Sequence, residues 1–313
     1  MLDEKVSDQV ELGKTGIIIP VMGTGAWSWG DRGLWGFGKG YSESDVKQAF
    51  DTSLENGIDF FDTAETYGQG MSERLLGQFI KTTDRNVVVA TKFLPIRLRK
   101  ESLMKALRNS LERLQLDQVD LYQIHFPVPF RSIETWADAL AEALDSGLTR
   151  SVGVSNYNID KMNRTSLQLE KHGHILASNQ VEYSLLNRKA ERRGLLDQCH
   201  SLGITLIAYS PLAKGILTGK YTPENPPPGR RGRKYKPEYL KKIQPLLGLM
   251  NEIGQTHGGK THAQVALNWC ICKGAVPIPG AKNAHQARDN AQAMGWRLSG
   301  DEMNALDKAS RKL

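Results

Sequence analysis

Eight short strand-like runs, each followed by a stretch of helical character, limit this chain's folding options more than any other feature. The runs lie near Val21, Ile58, Val87, Val119, Ser151, Ser178, Ile204 and Val276. Most are continuously apolar, as in "VVVATKF" and "ITLIAYSPL", and strands covered on both faces read this way. The segments between them carry helix marks. "ESLMKALRNSLERLQL" puts Leu103, Leu107, Leu111 and Leu114 on one face. "SESDVKQAFDTSLENG" opens on a capping serine, Ser42 or Ser44, and closes on Gly57. Alternating strands and helices imply a parallel sheet with right-handed crossovers. Eight such units in 313 residues predict an α/β protein, a (β/α)8 TIM barrel forming one domain over residues 1–313. The alternative is a doubly wound sheet, in one or two domains. It is disfavoured because no linker breaks the middle of the chain. No G-x-G-x-x-G follows the first strand either, "GTGAWSWG" and "GFGKG" being wrongly spaced.

Composition narrows the function classes. Charged residues make up 24% and hydrophobic ones 40%, ordinary for a soluble globular protein. The net charge of +7 suits small anions and, without a matching motif, is weak support for nucleic acid. Three cysteines (Cys199, Cys270 and Cys272) argue against a disulfide framework, and the spacing of the last two is wrong for a zinc knuckle. No metal site is expected; His172 and His174 read as a helix end. The N-terminus lacks an apolar signal core, and no run approaches the roughly 18 apolar residues of a membrane span. A cytoplasmic protein is expected, or a stromal one if a plastid transit peptide has been removed. Its partners would be small molecules, with no nucleic acid or membrane, and it would be a monomer or a weak homo-oligomer.

In a barrel of this kind chemistry gathers at the C-terminal ends of the strands. The run "GIDFF" leads into "DTAETYGQG", placing Asp62 at a strand end and Tyr67 in the loop beyond. The next two strands end in Lys92 and His125. Singly, Lys92 would pass for a surface lysine and His125 for a core histidine. Together, at successive strand ends, the four face one mouth, and Asp62 gains Lys92 as its partner. Free tyrosine has a pKa near ~10 and is a poor acid at neutral pH. A lysine beside the phenol stabilises phenolate, and an acid behind that lysine keeps it charged. With a histidine hydrogen-bonding to the substrate oxygen, the set can protonate a carbonyl while another group delivers hydride.

These residues stand within blocks that resemble the aldo-keto reductases along nearly the whole chain. The blocks are "GIDFFDTAETYGQGMSERLLG", "VVVATKF", "LERLQLDQVDLYQIHFP", "SVGVSNY", "AYSPLAKGILTGKY" and "VPIPGAK", and the match is nearest to the bacterial and plant-plastid members. The resemblance implies that Asp62, Tyr67, Lys92 and His125 form a catalytic tetrad with Tyr67 as general acid. It also implies an NADPH-dependent oxidoreductase reducing aldehydes or ketones, with the NADPH/NADP+ cofactor lying across the mouth. "ELGKTGIIIP" resembles the N-terminal β-hairpin that closes the barrel floor. Ser155, Asn156 and Gln180 resemble the groups that grip the nicotinamide carboxamide, and Tyr209 the aromatic stacked on its face. Ser210, Leu212, Lys214 and Gly215 resemble the pyrophosphate loop. Gly280 and Lys282 precede a helix N-terminus, a seat for the 2′-phosphate, and Gln286 and Asn290 resemble the adenine contacts. Channel β-subunits share this barrel as cofactor-binding regulators, but an asparagine commonly replaces the tetrad histidine there, and His125 is retained here. Trp27, Trp29 and Phe126 are expected to line the substrate pocket, the long loop Trp27–Tyr41 and "HFPVP" being departures from the family pattern. The run "GRRGRKYK" (Gly229–Lys236) reads as a solvated, mobile loop, and the last helix is expected over Ala284–Met294.

Overall fold

The computed structural model describes residues 6–96, 99–311 and 313. Two strands, β1 (Gln9–Glu11) and β2 (Ile18–Pro20), form an antiparallel hairpin. The barrel strands are β3 (Thr24–Gly25), β4 (Phe60–Asp62), β5 (Val88–Phe93), β6 (Val119–Ile124), β7 (Thr149–Ser155), β8 (Ser178–Glu182), β9 (Thr205–Tyr209) and β10 (Val276–Ile278). Each pairs in parallel with its sequence neighbour. The ring closes between β3 and β10, where Gly23 N and Gly25 N donate to Pro277 O and Pro279 O at 3.0 Å each. A (β/α)8 barrel results, as the alternation predicted.

The two-residue period of a strand decides what fills the interior. Phe60, Val88, Ala90, Leu121, Ile207, Val276 and Ile278 face inward and pack with Leu12, Ile17 and Ile19 of the hairpin. The hairpin therefore plugs the floor with apolar side chains. Outward residues of the same strands, such as Phe61, Val89 and Tyr122, join the larger core beneath the helices. Both faces are buried, which is why the strands read as unbroken apolar runs.

Helix boundaries follow local chemistry. Ser42, not Ser44, caps the helix Glu43–Glu55, in a reciprocal capping box with Asp45. The four leucines predicted on one face of Glu101–Leu114 are all buried. Several expectations need correction. The first barrel strand is only Thr24–Gly25, because the apolar run before it is already used by β2. The segment after β8 breaks into Lys189–Arg192 and Leu195–Leu202 at Gly194, whose φ of 71° suits glycine. A further helix, Gly300–Ser310, follows Ala284–Ala291. Within the run "GRRGRKYK", Arg230–Lys234 forms a short helix, and Arg231 packs over Trp35 and Tyr221 instead of standing free in solvent. Among the described residues no helix is long and apolar enough to cross a membrane.

Candidate active site

One inward step beyond the apolar floor, the strands turn polar. Asp62 follows Phe60 on the inner face of β4, Lys92 follows Ala90 on β5, and Gln123 and His125 follow Leu121 on and just past β6. Lys92 is fully buried and directs its three N–H donors at three oxygens. These are Asp62 Oδ1 at 2.5 Å, Thr63 O at 2.8 Å and the Tyr67 hydroxyl at 3.3 Å. Asp62 Oδ2 accepts from Gln180 Nε2 at 2.8 Å and Gln123 Nε2 at 3.3 Å. The His125 ring stands edge-on to the Tyr67 ring, with centroids 5.8 Å apart. The structure thus brings Asp62, Tyr67, Lys92 and His125 together.

Electrostatics give each group a distinct state. Burial alone would lower Lys92, but Asp62 and Tyr67 facing it hold its pKa above the ordinary lysine value, so it stays charged. Burial raises the Tyr67 phenol, with Lys92 pulling the other way. Tyr67 therefore keeps its proton at neutral pH. Burial, reinforced by the charge on Lys92, pushes His125 down to about 3, leaving a neutral imidazole. A neutral ring can hydrogen-bond to an oxygen without competing as an acid.

Aromatic planes frame this group. Trp27 stacks on Tyr67 at 6.0 Å, and Phe126 lies parallel to His125 at 4.4 Å. Trp29 does not reach the mouth. It has no exposed surface, packs against Phe61 and Phe79, and donates its indole N–H to Ala281 O at 2.8 Å. The expectation that it touches substrate is corrected: residue 29 points outward into the core beneath the helices.

The residues expected to hold a cofactor line one arc of the rim. Ser155 Oγ donates to Gln180 O, and Asn156 bridges Ser155, His125 O and the Tyr209 hydroxyl. Gln180 turns its amide towards Asp62 and Gln123, at the base of the mouth. After β9, Ser210, Ala213, Lys214 and Gly215 all have positive φ in a tight turn closed by bonds to Ser210 O and Leu212 O. Non-glycine residues in this region cost of order 1–3 kcal/mol each and tend to cluster at ligand sites. Lys282 Nζ donates to Trp35 O at 3.0 Å and sits over the Trp35 and Tyr41 rings. Its backbone N–H donates to Gln286, while Asn290 reaches Gly280 O. Burial, then the like charges of Arg231 and Lys220, push Lys282 down to about 8.

Residues 21–311 match the model of the aldo/keto reductase family. The chain belongs to that family. The chain is 43% identical over 307 residues to a chloroplastic pyridoxal reductase of Arabidopsis thaliana, covering 93% of this chain and 83% of that protein. It is similar to a thermostable aldo-keto reductase solved with the inhibitor epalrestat, at 31% identity and a TM-score of 0.78, covering 96% of this chain and 99% of that one. An aldo/keto reductase from Klebsiella pneumoniae, solved with NADP and acetate, is 28% identical with a TM-score of 0.76, over 97% and 95% of the two chains.

In this aldo/keto reductase, sequence reasoning missed three groups at the mouth. Gln123 donates to Asp62, and its signal was its place two residues before His125, on the same inward face. Arg231 and Trp35 frame Lys282, and they come from a short helix and a distant loop that no periodicity ties together. General carbonyl oxidoreduction is the family's chemistry.

Proposed function

We propose that this chain reduces aldehydes to primary alcohols with NADPH as reductant, and that flat aromatic aldehydes of the pyridoxal kind are favoured substrates. The observation that carries this reading is one ammonium, Lys92 Nζ, shared between Asp62 and the Tyr67 hydroxyl beside a neutral His125.

The residues present fit an anionic dinucleotide. Lys220, Arg231 and Lys282 lie close enough to repel one another, which is costly until an anion arrives. Asn283 caps the helix Ala284–Ala291 next to Lys282. Lys282 and that helix start would hold the 2′-phosphate, Ser210 to Gly215 the pyrophosphate, and Ser155, Asn156 and Tyr209 the nicotinamide, with Gln180 behind them. When bound, NADPH supplies the hydride. Tyr67 donates its proton to the carbonyl oxygen, and Lys92 stabilises the phenolate left behind. Asp62 keeps Lys92 charged and fixed. His125 orients the carbonyl oxygen. Trp27 and Phe126 flank the site and suit a planar ring, the usual make-up of a small-molecule pocket being apolar around a few polar groups. The pyridoxal reductase relative supports that substrate class. Its chloroplastic name is compatible with a plastid setting for this chain.

The test is turnover of an aldehyde panel, pyridoxal included, with NADPH and with NADH. Aromatic aldehydes with NADPH should give the highest kcat/KM. A panel led by short polar aldehydes, or indifferent to the cofactor, would contradict the reading.

A further inference from the structure

Tyr67 does not sit on a strand. It opens a tight turn, Tyr67–Gly70, in which Gly68, Gln69 and Gly70 have φ of 55°, 58° and 86°. The helix that follows, Met71–Ile80, starts without a side-chain cap. The turn therefore does not by itself fix where the phenol stands relative to Lys92 on β5. On the barrel side Ser72 ties that helix down, its Oγ pairing with Thr63 Oγ1 at 2.8 Å and donating to Ala26 O at 2.9 Å, and a second brace comes from outside the barrel.

The brace visible there is a buried carboxylate. Glu73, in the first turn of that helix, has no exposed surface. Its Oε1 accepts from Thr91 Oγ1 at 2.6 Å and its Oε2 from Arg113 Nε at 2.6 Å. Thr91 is the outward neighbour of Lys92 on β5, so one Glu73 oxygen ties the turn's helix to the strand that carries the ammonium. Arg113 comes from the last turn of Glu101–Leu114, and its Nη2 also donates to Ser110 Oγ at 3.1 Å. It touches the turn directly as well: a Cβ on Gly70 would stand 2.7 Å from Arg113 Cδ. One guanidinium thus bears on both the end of the Tyr67 turn and the carboxylate that spans to β5.

We infer that Arg113 is a positioning residue for proton transfer, holding the Tyr67 hydroxyl against Lys92 through Glu73. The inference rests on Tyr67 being the proton donor. A structural role alone would stabilise the helix and leave the chemistry untouched, so stability and catalysis must be read separately. Removing Arg113 alone leaves a buried uncompensated charge, whereas removing both charges with residues of similar volume need not destabilise.

The experiment compares the intact chain with Arg113→Met and with Glu73→Gln/Arg113→Met, measuring Tm, NADPH affinity and the pH profile of kcat for aldehyde reduction. Arg113→Met should lower both Tm and kcat. The double variant should regain Tm, bind NADPH as the parent does, and still show kcat lower by about ten- to a hundredfold, the scale of a 1 Å misplacement. Reduction needs a protonated phenol, so the rate falls as pH rises through the pKa of Tyr67. The groups facing that phenol are Asp62, Lys92, His125 and Tyr209. With Lys92 displaced, burial dominates and the basic limb should move to higher pH. A double variant with parental kcat and an unmoved limb overturns the inference. If that variant fails to fold, Arg113→Lys keeps the charge but loses the fixed Nε direction. It should show the same loss, and a parental kcat there is equally contradictory. A folded Tyr67→Phe protein that reduces aldehyde within a few-fold of the parent rate would instead defeat the proton-donor reading itself, so the two failures are distinguishable.

Discussion

Two lysines at the mouth have pKa values shifted in opposite directions. Lys92 faces a carboxylate and a phenol and is held charged. Lys282 is lowered by burial first and by Arg231 and Lys220 second, to about 8. The consequence is testable through cofactor affinity. As pH rises past about 8, the free protein loses the Lys282 charge, and recharging it then costs part of the 2′-phosphate contact. NADPH binding should therefore weaken above that pH while NADH binding does not. Lys282→Ala should remove that pH dependence and lower NADPH affinity by about one to two decades, the worth of a charge-assisted contact of roughly 1.5–3 kcal/mol. Equal losses for NADPH and NADH would show that Lys282 does not read the phosphate. At this scale the sequence was informative wherever a residue's place on a strand sets its direction, as for Asp62 and Lys92. It was silent on Trp35 and Arg231, because a loop and a five-residue helix far apart in the chain decide that meeting.

Elements explain why two tryptophans two residues apart part company. The loop after β3 leaves the sheet at once, so the alternation that would aim residues 27 and 29 at the same face does not apply. Trp27 stays at the mouth on Tyr67, and Trp29 drops into the core. Trp29→Ala should cost about 3–5 kcal/mol of stability, as for other buried aromatic deletions, and preserve the ranking of aldehydes. Trp27→Ala should change that ranking with a smaller effect on Tm. Thermal melts alongside kcat/KM across the panel check both; an unchanged ranking in Trp27→Ala would remove it from the substrate site. The last helix, Gly300–Ser310, escaped the sequence reading for a related reason. It presents little apolar surface and docks through ions: Asp307 meets Lys273 at 2.6 Å and Arg188 at 3.1 Å. Its capping box, Ser299 with Glu302, was the signal available.

Across the whole molecule, a gradient along the barrel axis separates stability from chemistry. Leu12, Ile17 and Ile19 seal the floor, the middle layer is apolar, and the polar side chains come only at the strand ends. The count of eight units and the places of Asp62, Lys92 and His125 were legible because they follow from strand periodicity, and Tyr67 because it lies in the loop just beyond Asp62. The seam was not, since β3 and β10 are joined by backbone donors on Gly23 and Gly25 that leave no mark in the side-chain pattern. The claim on which the rest depends is that this gradient ends in a proton donor. Single-turnover reduction by Tyr67→Phe, with NADPH affinity measured on the same preparation, tests it most directly. The account predicts unchanged NADPH binding and a rate at least about 10²-fold below the parent, the usual worth of a general acid. A folded Tyr67→Phe protein that binds NADPH and reduces aldehyde within a few-fold of the parent rate would contradict it.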